Sequence, residues 1–321
     1  MSKLSLTREV LKRIVSPKIS KANIAVTWRC NQRCKTCNIW QTYQGKTEKI
    51  QDEFDVLEYD SFLKKSGLMW VSLTGGEPTL REDIGAILIL SSMYVQMVNI
   101  TTNGSNPREL ELGIRDALQK GSAFVSCNLS CEGNEQYHNE FVGKKDSWGS
   151  MIESVQRLKL LRSNRFSVKL ETILTSENDG EAVRHLAKKL NVPLTYAIEQ
   201  QANFYRNTKP VSSESPIAPI KLPKVKLSPM PTSDELANYF LLREFQSVKK
   251  MACVAGQYSV FIDPYLTVYP CILRYPKNSL GSLRDGYSLQ GMATSLFLKN
   301  CHCATPCETQ VGMMFRPWRV L

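Results

Sequence analysis

Three histidines are few for a chain of 321 residues, and none precedes His138. A metal centre early in the chain must therefore use other ligands. No apolar run approaches the roughly 20 residues that a membrane-spanning helix needs. The N-terminus has neither the apolar core nor the small-residue cleavage site of a secretory signal, so a cytoplasmic protein is expected. Acidic residues are also in deficit, 30 against 41 Lys and Arg, which leaves a formal net charge of +11.

That charge sits in two segments. Residues 1–22 carry Lys3, Arg8, Lys12, Arg13, Lys18 and Lys21 against Glu9, and residues 205–231 carry Arg206, Lys209, Lys221, Lys224 and Lys226 against Glu214. Such segments can attract an anionic partner. Neither interleaves aromatics with its charges as a single-stranded nucleic-acid platform does, so both read as solvated surface and nucleic acid is not expected. Hydrophobic and charged contents of 42% and 22% are those of an ordinary globular protein, long enough for one large core and a small appended domain. The ten cysteines fall in short clustered spacings, which suits metal ligation in a reducing compartment better than a disulfide framework.

Residues 5–15 place Leu6, Val10, Leu11 and Ile14 on one helical face, with Lys12 and Arg13 off it. From residue 23 short apolar strands alternate with helical stretches. Strands are expected at Asn23 to Trp28, Met69 to Leu73, Met97 to Thr101, Ala123 to Leu129, Phe166 to Thr175 and Pro193 to Ile198. Helices are expected at Asp60 to Lys65, Asp83 to Tyr94, Arg108 to Lys120, Ser147 to Arg162 and Glu181 to Leu190. This alternation predicts a parallel sheet. The expected fold is α/β, a partial (β/α)6 TIM-like barrel, with ligands at the carboxyl ends of its strands. Residues 205–232 hold prolines among Ser and Lys with no regular period, and read as a lid or linker. A helix restarts at Ser233-Asp234-Glu235. The expected division is 1–22, an amphipathic helix; 23–204, the barrel; 205–232, linker or lid; and 233–321, a cysteine-rich C-terminal domain with a β-hairpin.

The first strand runs straight into Cys30-Asn31-Gln32-Arg33-Cys34-Lys35-Thr36-Cys37. A structural zinc knuckle here needs a fourth Cys or His close by, and none follows before Cys127. Iron–sulfur clusters are normally held by four thiolates, so three alone leave one iron open to another ligand. The C-x3-C-x2-C spacing resembles that of the radical SAM enzymes. There the open iron of a 4Fe-4S cluster chelates S-adenosylmethionine (SAM), and an electron then yields a 5′-deoxyadenosyl radical. The resemblance implies Cys30, Cys34 and Cys37 as ligands. Thr36 stands where the family commonly has an aromatic, beside the adenine.

Further motifs follow in the family's order. Thr74-Gly75-Gly76-Glu77-Pro78 after the second strand resembles the GGEP run that contacts the methionyl amino group, with paired glycines that let backbone approach a ligand closely. Thr101-Thr102-Asn103-Gly104 resembles the TNG run, a turn in its own right, and the resemblance implies a site role for Asn103. Leu129-Ser130-Cys131-Glu132-Gly133 keeps the serine expected near the SAM ribose, Ser130, but departs from Ser-Leu-Asp-Gly at the next two positions. Cys127 and Cys131 lie on one face of the fourth strand and read as buried small hydrophobes.

Five cysteines, Cys253, Cys271, Cys301, Cys303 and Cys307, crowd the C-terminal region. The run from Gly256 to Pro270 reads as a hairpin turning at Asp263-Pro264, which would bring Cys253 and Cys271 together. The region resembles the Twitch or truncated SPASM extension of the family. That implies a second, auxiliary 4Fe-4S cluster on Cys253, Cys271, Cys303 and Cys307, with Cys301 a substitute or spare. A zinc ribbon is the alternative. The full resemblance implies hydrogen-atom abstraction from a substrate, with an electron donor such as flavodoxin or ferredoxin. Only about 20 residues precede the barrel, where peptide maturases of this kind carry a recognition domain. A small molecule such as a sugar or phosphorylated metabolite is therefore expected over a peptide. The Gly-Gly-Arg tail of the molybdopterin-pathway GTP cyclases is absent, so that activity is not the one expected. A metal-stabilised binding module without SAM cleavage is the alternative from another class. No catalytic side chain is named; Glu171 and Glu199, on strands five and six, are the acids to examine.

Overall fold

The segment Lys-Ala-Asn-Ile-Ala-Val-Thr at Lys21–Thr27 is buried along its whole length, as a parallel strand covered on both faces must be. It is strand β1 of a computed structural model that describes residues 3–37, 39–41, 51–199, 220, 222–224, 227–246, 253–292 and 306–315. Most of the proline-rich stretch 205–232, and Cys301, His302 and Cys303, lie outside the described residues.

Helix α1 (Lys3–Val15) precedes β1. Strands and helices then alternate: α2 (Val56–Ser66), β2 (Trp70–Gly75), α3 (Ile84–Tyr94), β3 (Met97–Thr102), α4 (Pro107–Lys120), β4 (Phe124–Ser130), α5 (Glu135–Val142), α6 (Ser147–Lys159), β5 (Phe166–Leu174), α7 (Glu181–Leu190) and β6 (Leu194–Ile198). After them come α8 (Ser233–Gln246), β7 (Ser259–Ile262), β8 (Thr267–Tyr269), β9 (Gly281–Ser282) and α9 (Pro306–Phe315). All six expected strands form and pair in parallel. The sheet order is β6-β5-β4-β3-β2-β1-β7-β8-β9, so the sheet stays open at β6 and β9. This is the expected partial barrel.

The hairpin forms with its turn at Asp263 and Pro264. Asp263 Oδ1 accepts the N–H groups of Tyr265 and Thr267, each at 2.9 Å. Instead of standing apart, its first strand adds to the core sheet: β7 runs parallel to β1, from Lys21↔Ser259 to Ile24↔Ile262. At the other edge an amide takes the place of a neighbouring strand. Asn238 on α8 accepts from Tyr196 N at 3.0 Å and donates to Leu194 O at 2.7 Å, which satisfies an edge that would otherwise be open.

Alternation along the strands sorts their side chains. Ile24, Leu73, Ile100, Val125 and Leu170 join Ile87, Ile114 and Val155 of the helices in the main apolar core. The opposite face is mixed: one row is Lys21, Trp70, Met97 and Phe124, and the next is polar. Asn23, Ser72, Asn99, Ser126 and Ser167 stand side by side in one row of the register, and period-2 alternation turns them away from the helices.

Helix boundaries follow their caps. Helix α2 begins earlier than its apolar spacing suggests, because Asp55 accepts from the N–H groups of Leu57 and Glu58, both at 2.8 Å, and Glu58 answers the Asp55 N–H at 3.1 Å. The sequence reading places no helix at α5; its signal is Asn134, whose side chain accepts from Tyr137 N at 2.9 Å.

Helix α1 corrects the expected face. Leu11 is 57% exposed, whereas Arg13 is buried. Its guanidinium donates to Gly67 O at 2.8 Å, Ser20 Oγ at 3.0 Å and Ile19 O at 3.3 Å, tying the helix to the amino ends of the strands. Val10 and Ile14 pack with Val311 and Phe315 of α9. Replacing Arg13 by Met strands these acceptors and should destabilise the fold by about 1–3 kcal/mol, seen as a lower Tm. Leu11→Ser should leave Tm unchanged.

Candidate active site

The carboxyl ends of β1 to β5 bring the motifs together. The cysteine loop leaves β1 and is held from two sides. On one side Gly76 N donates to Thr27 O at 2.8 Å and Glu77 N to Arg29 O at 2.7 Å. On the other, Arg33 N and Lys35 N donate to Val142 O and Phe141 O at 2.8 and 3.0 Å. The paired glycines answer to the chain itself before any ligand. A Cβ on Gly75 would stand 2.2 Å from Thr27 O, and one on Gly76 2.0 Å from Arg29 O; Gly75 also has φ +134°.

Glu77 is 1% exposed. Its carboxylate accepts from Thr79 N at 3.0 Å, Thr79 Oγ1 at 2.7 Å, Thr102 Oγ1 at 2.6 Å and Asn103 N at 2.7 Å. Burial raises its pKa despite these donors. The acid therefore ties the end of β2 to the end of β3. Asn103 continues the tie, donating from Nδ2 to Asn31 Oδ1 of the cysteine loop at 2.9 Å. Ser130 is half-buried at the end of β4 and pairs in register with Glu171. Among the described residues its hydroxyl makes no hydrogen bond.

The residues that depart from the motif have structural work. Cys127 and Cys131 lie fully buried in the apolar core. Glu132 accepts from Thr172 Oγ1 and Ile173 N at 3.0 Å and from Asn178 Nδ2 at 3.1 Å, joining β4 to β5. Burial pushes its pKa up to about 8. Glu53, which the sequence reading passes over in a stretch without period, supports the end of β1: it accepts from Thr27 Oγ1 at 2.6 Å and pairs with Arg29 at 3.6 Å. Glu171 accepts from Asn128 Nδ2 at 3.0 Å; burial raises its pKa, and no ion pair engages it among the described residues. Glu199 follows β6 with its N–H on Leu174 O at 3.0 Å.

Burial raises the thiol of Cys30 to about 11 and that of Cys37 to about 12, and lifts Cys34 well above its ordinary value. Binding of iron is what draws such protons off. Among the described residues, no three Cys, His, Asp or Glu side chains form a ready-made site for a single ion. A cluster makes a different demand, since each thiolate ligates its own iron. Of the second cysteine set, Cys253 is half-buried and Cys271 buried. Cys303 lies outside the described residues, and for Cys307 the backbone alone is described, in the first turn of α9. Cys37 packs in the same aromatic cluster as Ile272, the neighbour of Cys271, together with Trp28, Phe261 and Tyr269.

An open parallel barrel with a three-thiol loop at the carboxyl ends of its strands defines an enzyme of the iron–sulfur, SAM-using class. The model of the Radical SAM superfamily matches residues 24–188, more than half of the chain, and the protein belongs to that family. It is 30% identical to a probable GTP 3′,8-cyclase of Thermococcus kodakarensis, over 51% of this chain and 50% of that one. It is 29% identical to the GTP 3′,8-cyclase of Aquifex aeolicus, over 54% of each. The chain thus spans about half the length of these curated relatives. Among solved structures, Streptococcus suis SuiB bound to S-adenosylmethionine has a TM-score of 0.60 at 14% identity, covering 92% of this chain and 71% of that one. Native anSMEcpe with bound AdoMet has a TM-score of 0.54 at 15% identity, covering 94% and 98%. Among the described residues no helix is long and apolar enough to cross a membrane.

Membership implies a 4Fe-4S cluster and SAM. The donor set fits: three half-buried thiols share one loop, and Thr36 Oγ1 and Trp40 Nε1 of the same region are buried without a hydrogen-bond partner among the described residues.

The Glu132 carboxyl gives a pH dependence. Its ordinary value is 4.5 and its folded value about 8, so between these the folded chain keeps a proton that the unfolded chain has lost. Stability should be greatest at the acid end of this window and fall as pH rises through it. Glu132→Gln, which keeps an acceptor for all three donors, should flatten the fall in a pH series of urea unfolding.

Proposed function

We propose that this radical SAM enzyme holds its first cluster on Cys30, Cys34 and Cys37 and acts on a small polar molecule, such as a sugar or a phosphorylated metabolite. Bound there, the cluster and SAM supply a 5′-deoxyadenosyl radical that takes a hydrogen atom from the substrate. The backbone of Gly75, Gly76, Glu77 and Pro78 would hold the methionyl end of SAM, Ser130 its ribose and Thr36 its adenine. Asn103 holds the cysteine loop in register with β3. Among the described residues the hydroxyls of Ser130 and Thr36 make no hydrogen bond, which supports these assignments.

The observation that carries the substrate class is a polar row on the inner face of the sheet. It runs across β1 to β5 as Asn23, Ser72, Asn99, Ser126 and Ser167, and Asn23 Oδ1 is buried without a partner among the described residues. Two cations on the same face are engaged: Lys169 by Asp234, and Lys21 over the Trp70 ring at 3.8 Å. Glu171, with neutral hydrogen-bond partners and no ion pair among the described residues, is the carboxylate we assign to a hydroxyl or amino group of the substrate. Such a lining hydrogen-bonds a hydroxyl-bearing ligand and leaves a greasy one with unmet polar groups.

We assign a second, auxiliary 4Fe-4S cluster to Cys253, Cys271, Cys303 and Cys307, serving as electron acceptor in a net oxidation or as a substrate anchor. The aromatic cluster against which both Cys37 and Ile272 pack supports a location close to the first loop. Electrons would enter from a flavodoxin or ferredoxin. The curated relatives favour one specific second reading, GTP as the substrate.

The test is anaerobic reconstitution with iron and sulfide, followed by reduction with SAM present. The wild type should carry about eight irons and the Cys30/Cys34/Cys37 triple-alanine variant about four, with 5′-deoxyadenosine formed by the wild type alone. About four irons falling to none would remove the auxiliary cluster. Conversion of GTP under these conditions would decide for the second reading.

A further inference from the structure

Gln32 is an amide buried in the middle of the cysteine loop, 3% exposed. Its Oε1 faces Cys34 Sγ at 3.7 Å, and its Nε2 donates to Ser147 Oγ at 2.6 Å. Ser147 Oγ lies 3.3 Å from His138 Nε2. His138 Nδ1 accepts the Glu132 N–H at 3.1 Å, so Nδ1 carries no proton. Burial drives the ring down to about 4; the neutral imidazole then keeps its one proton on Nε2 and donates that N–H to Ser147 Oγ. Ser147 accepts from both neighbours. Its own hydroxyl hydrogen has no acceptor among the described residues, although the residue is 1% exposed.

The line is correct for a thiol and wrong for an iron ligand. A Cys34 thiol donates to Gln32 Oε1. Once the sulfur ligates iron it has lost that hydrogen, and the amide oxygen and the sulfur then face each other as two acceptors. Turning the amide over repairs both faults without repacking, because its two ends have nearly the same shape. The stranded Ser147 hydroxyl also gains an acceptor.

We propose that Gln32 donates from Nε2 to the cluster-bound Cys34 sulfur while its Oε1 accepts from Ser147, so that His138, Ser147 and Gln32 form one directed line of neutral donors ending on the cluster. Hydrogen bonds to cluster sulfurs set the reduction potential. A donor stabilises the more negative, reduced state and raises that potential. Gln32, Ser147 and His138 are thus positioning residues for the cluster, and His138 is held in one tautomer by the backbone of Glu132. The inference rests on Cys30, Cys34 and Cys37 as the ligands.

The test is an EPR-monitored redox titration of the reconstituted full chain, following the signal that SAM perturbs, in the wild type, Gln32→Met and Ser147→Ala. Both variants should titrate at lower potential. In Gln32→Met the ratio of reduced to oxidised cluster at fixed ambient potential should fall about tenfold, equivalent to 59 mV for one electron, with a smaller fall in Ser147→Ala. A variant with wild-type iron content and wild-type potential overturns the line. If Gln32→Met takes up no iron, Ser147→Ala decides alone. A wild type that binds no iron overturns the ligand assignment, and the line with it.

Discussion

Two backbone hydrogen bonds, from Gly76 N to Thr27 O and from Glu77 N to Arg29 O, are the constraint on which the upper face of the barrel depends. They press the loop after β2 against the loop after β1 at a separation that excludes any side chain. Glu77 then turns inward and takes four donors from the ends of β2 and β3. Asn103 passes the tie back to Asn31. The cysteine loop is positioned by this closed circuit of short polar contacts more than by packing of its own side chains. Such a circuit is stiff, because each buried acceptor that lost its partner would cost the full desolvation of the group.

The sheet beneath has two unlike faces. Its helix side is apolar and carries the core. Its inner side mixes amides, hydroxyls, Lys21, Lys169 and Glu171 with apolar Trp70, Met97 and Phe261. Parallel strands covered on both faces usually read as continuous hydrophobic runs, and β1 departs from that with Lys21, Asn23 and Thr27 buried. The departure is the feature on which the proposed substrate face rests. A fold-stabilising core would have no use for Asn23 in the position it holds.

Much of this was legible in the sequence. The six strands, the cysteine triad and the glycine pair announce themselves through period and spacing. What the residues could not show was which partner each group had. The glycines suggest room for a ligand, and their tightest neighbours prove to be carbonyls of the chain. Glu132 looks like a broken motif and is a strut between β4 and β5. Glu53 lies in a stretch without period, and its role exists only once β1 is beside it. Arg13 reads as solvent-facing on a helical wheel, since the wheel holds no information about the carbonyls of Ile19 and Gly67. Local pattern fixes elements; long-range hydrogen bonds fix duties.

The pairing of β7 with β1 has a consequence for how the chain is made. Strand β1 is complete early in synthesis, yet one of its edges stays unsatisfied until residues 259–262 emerge. For that interval the nascent sheet presents an open, apolar parallel edge of the kind that recruits stray strands. The last step in closing it joins residues separated by most of the chain, and contacts of that sequence separation form slowly. Production of this protein should therefore depend on chaperone capacity and growth temperature, even where the finished fold is stable.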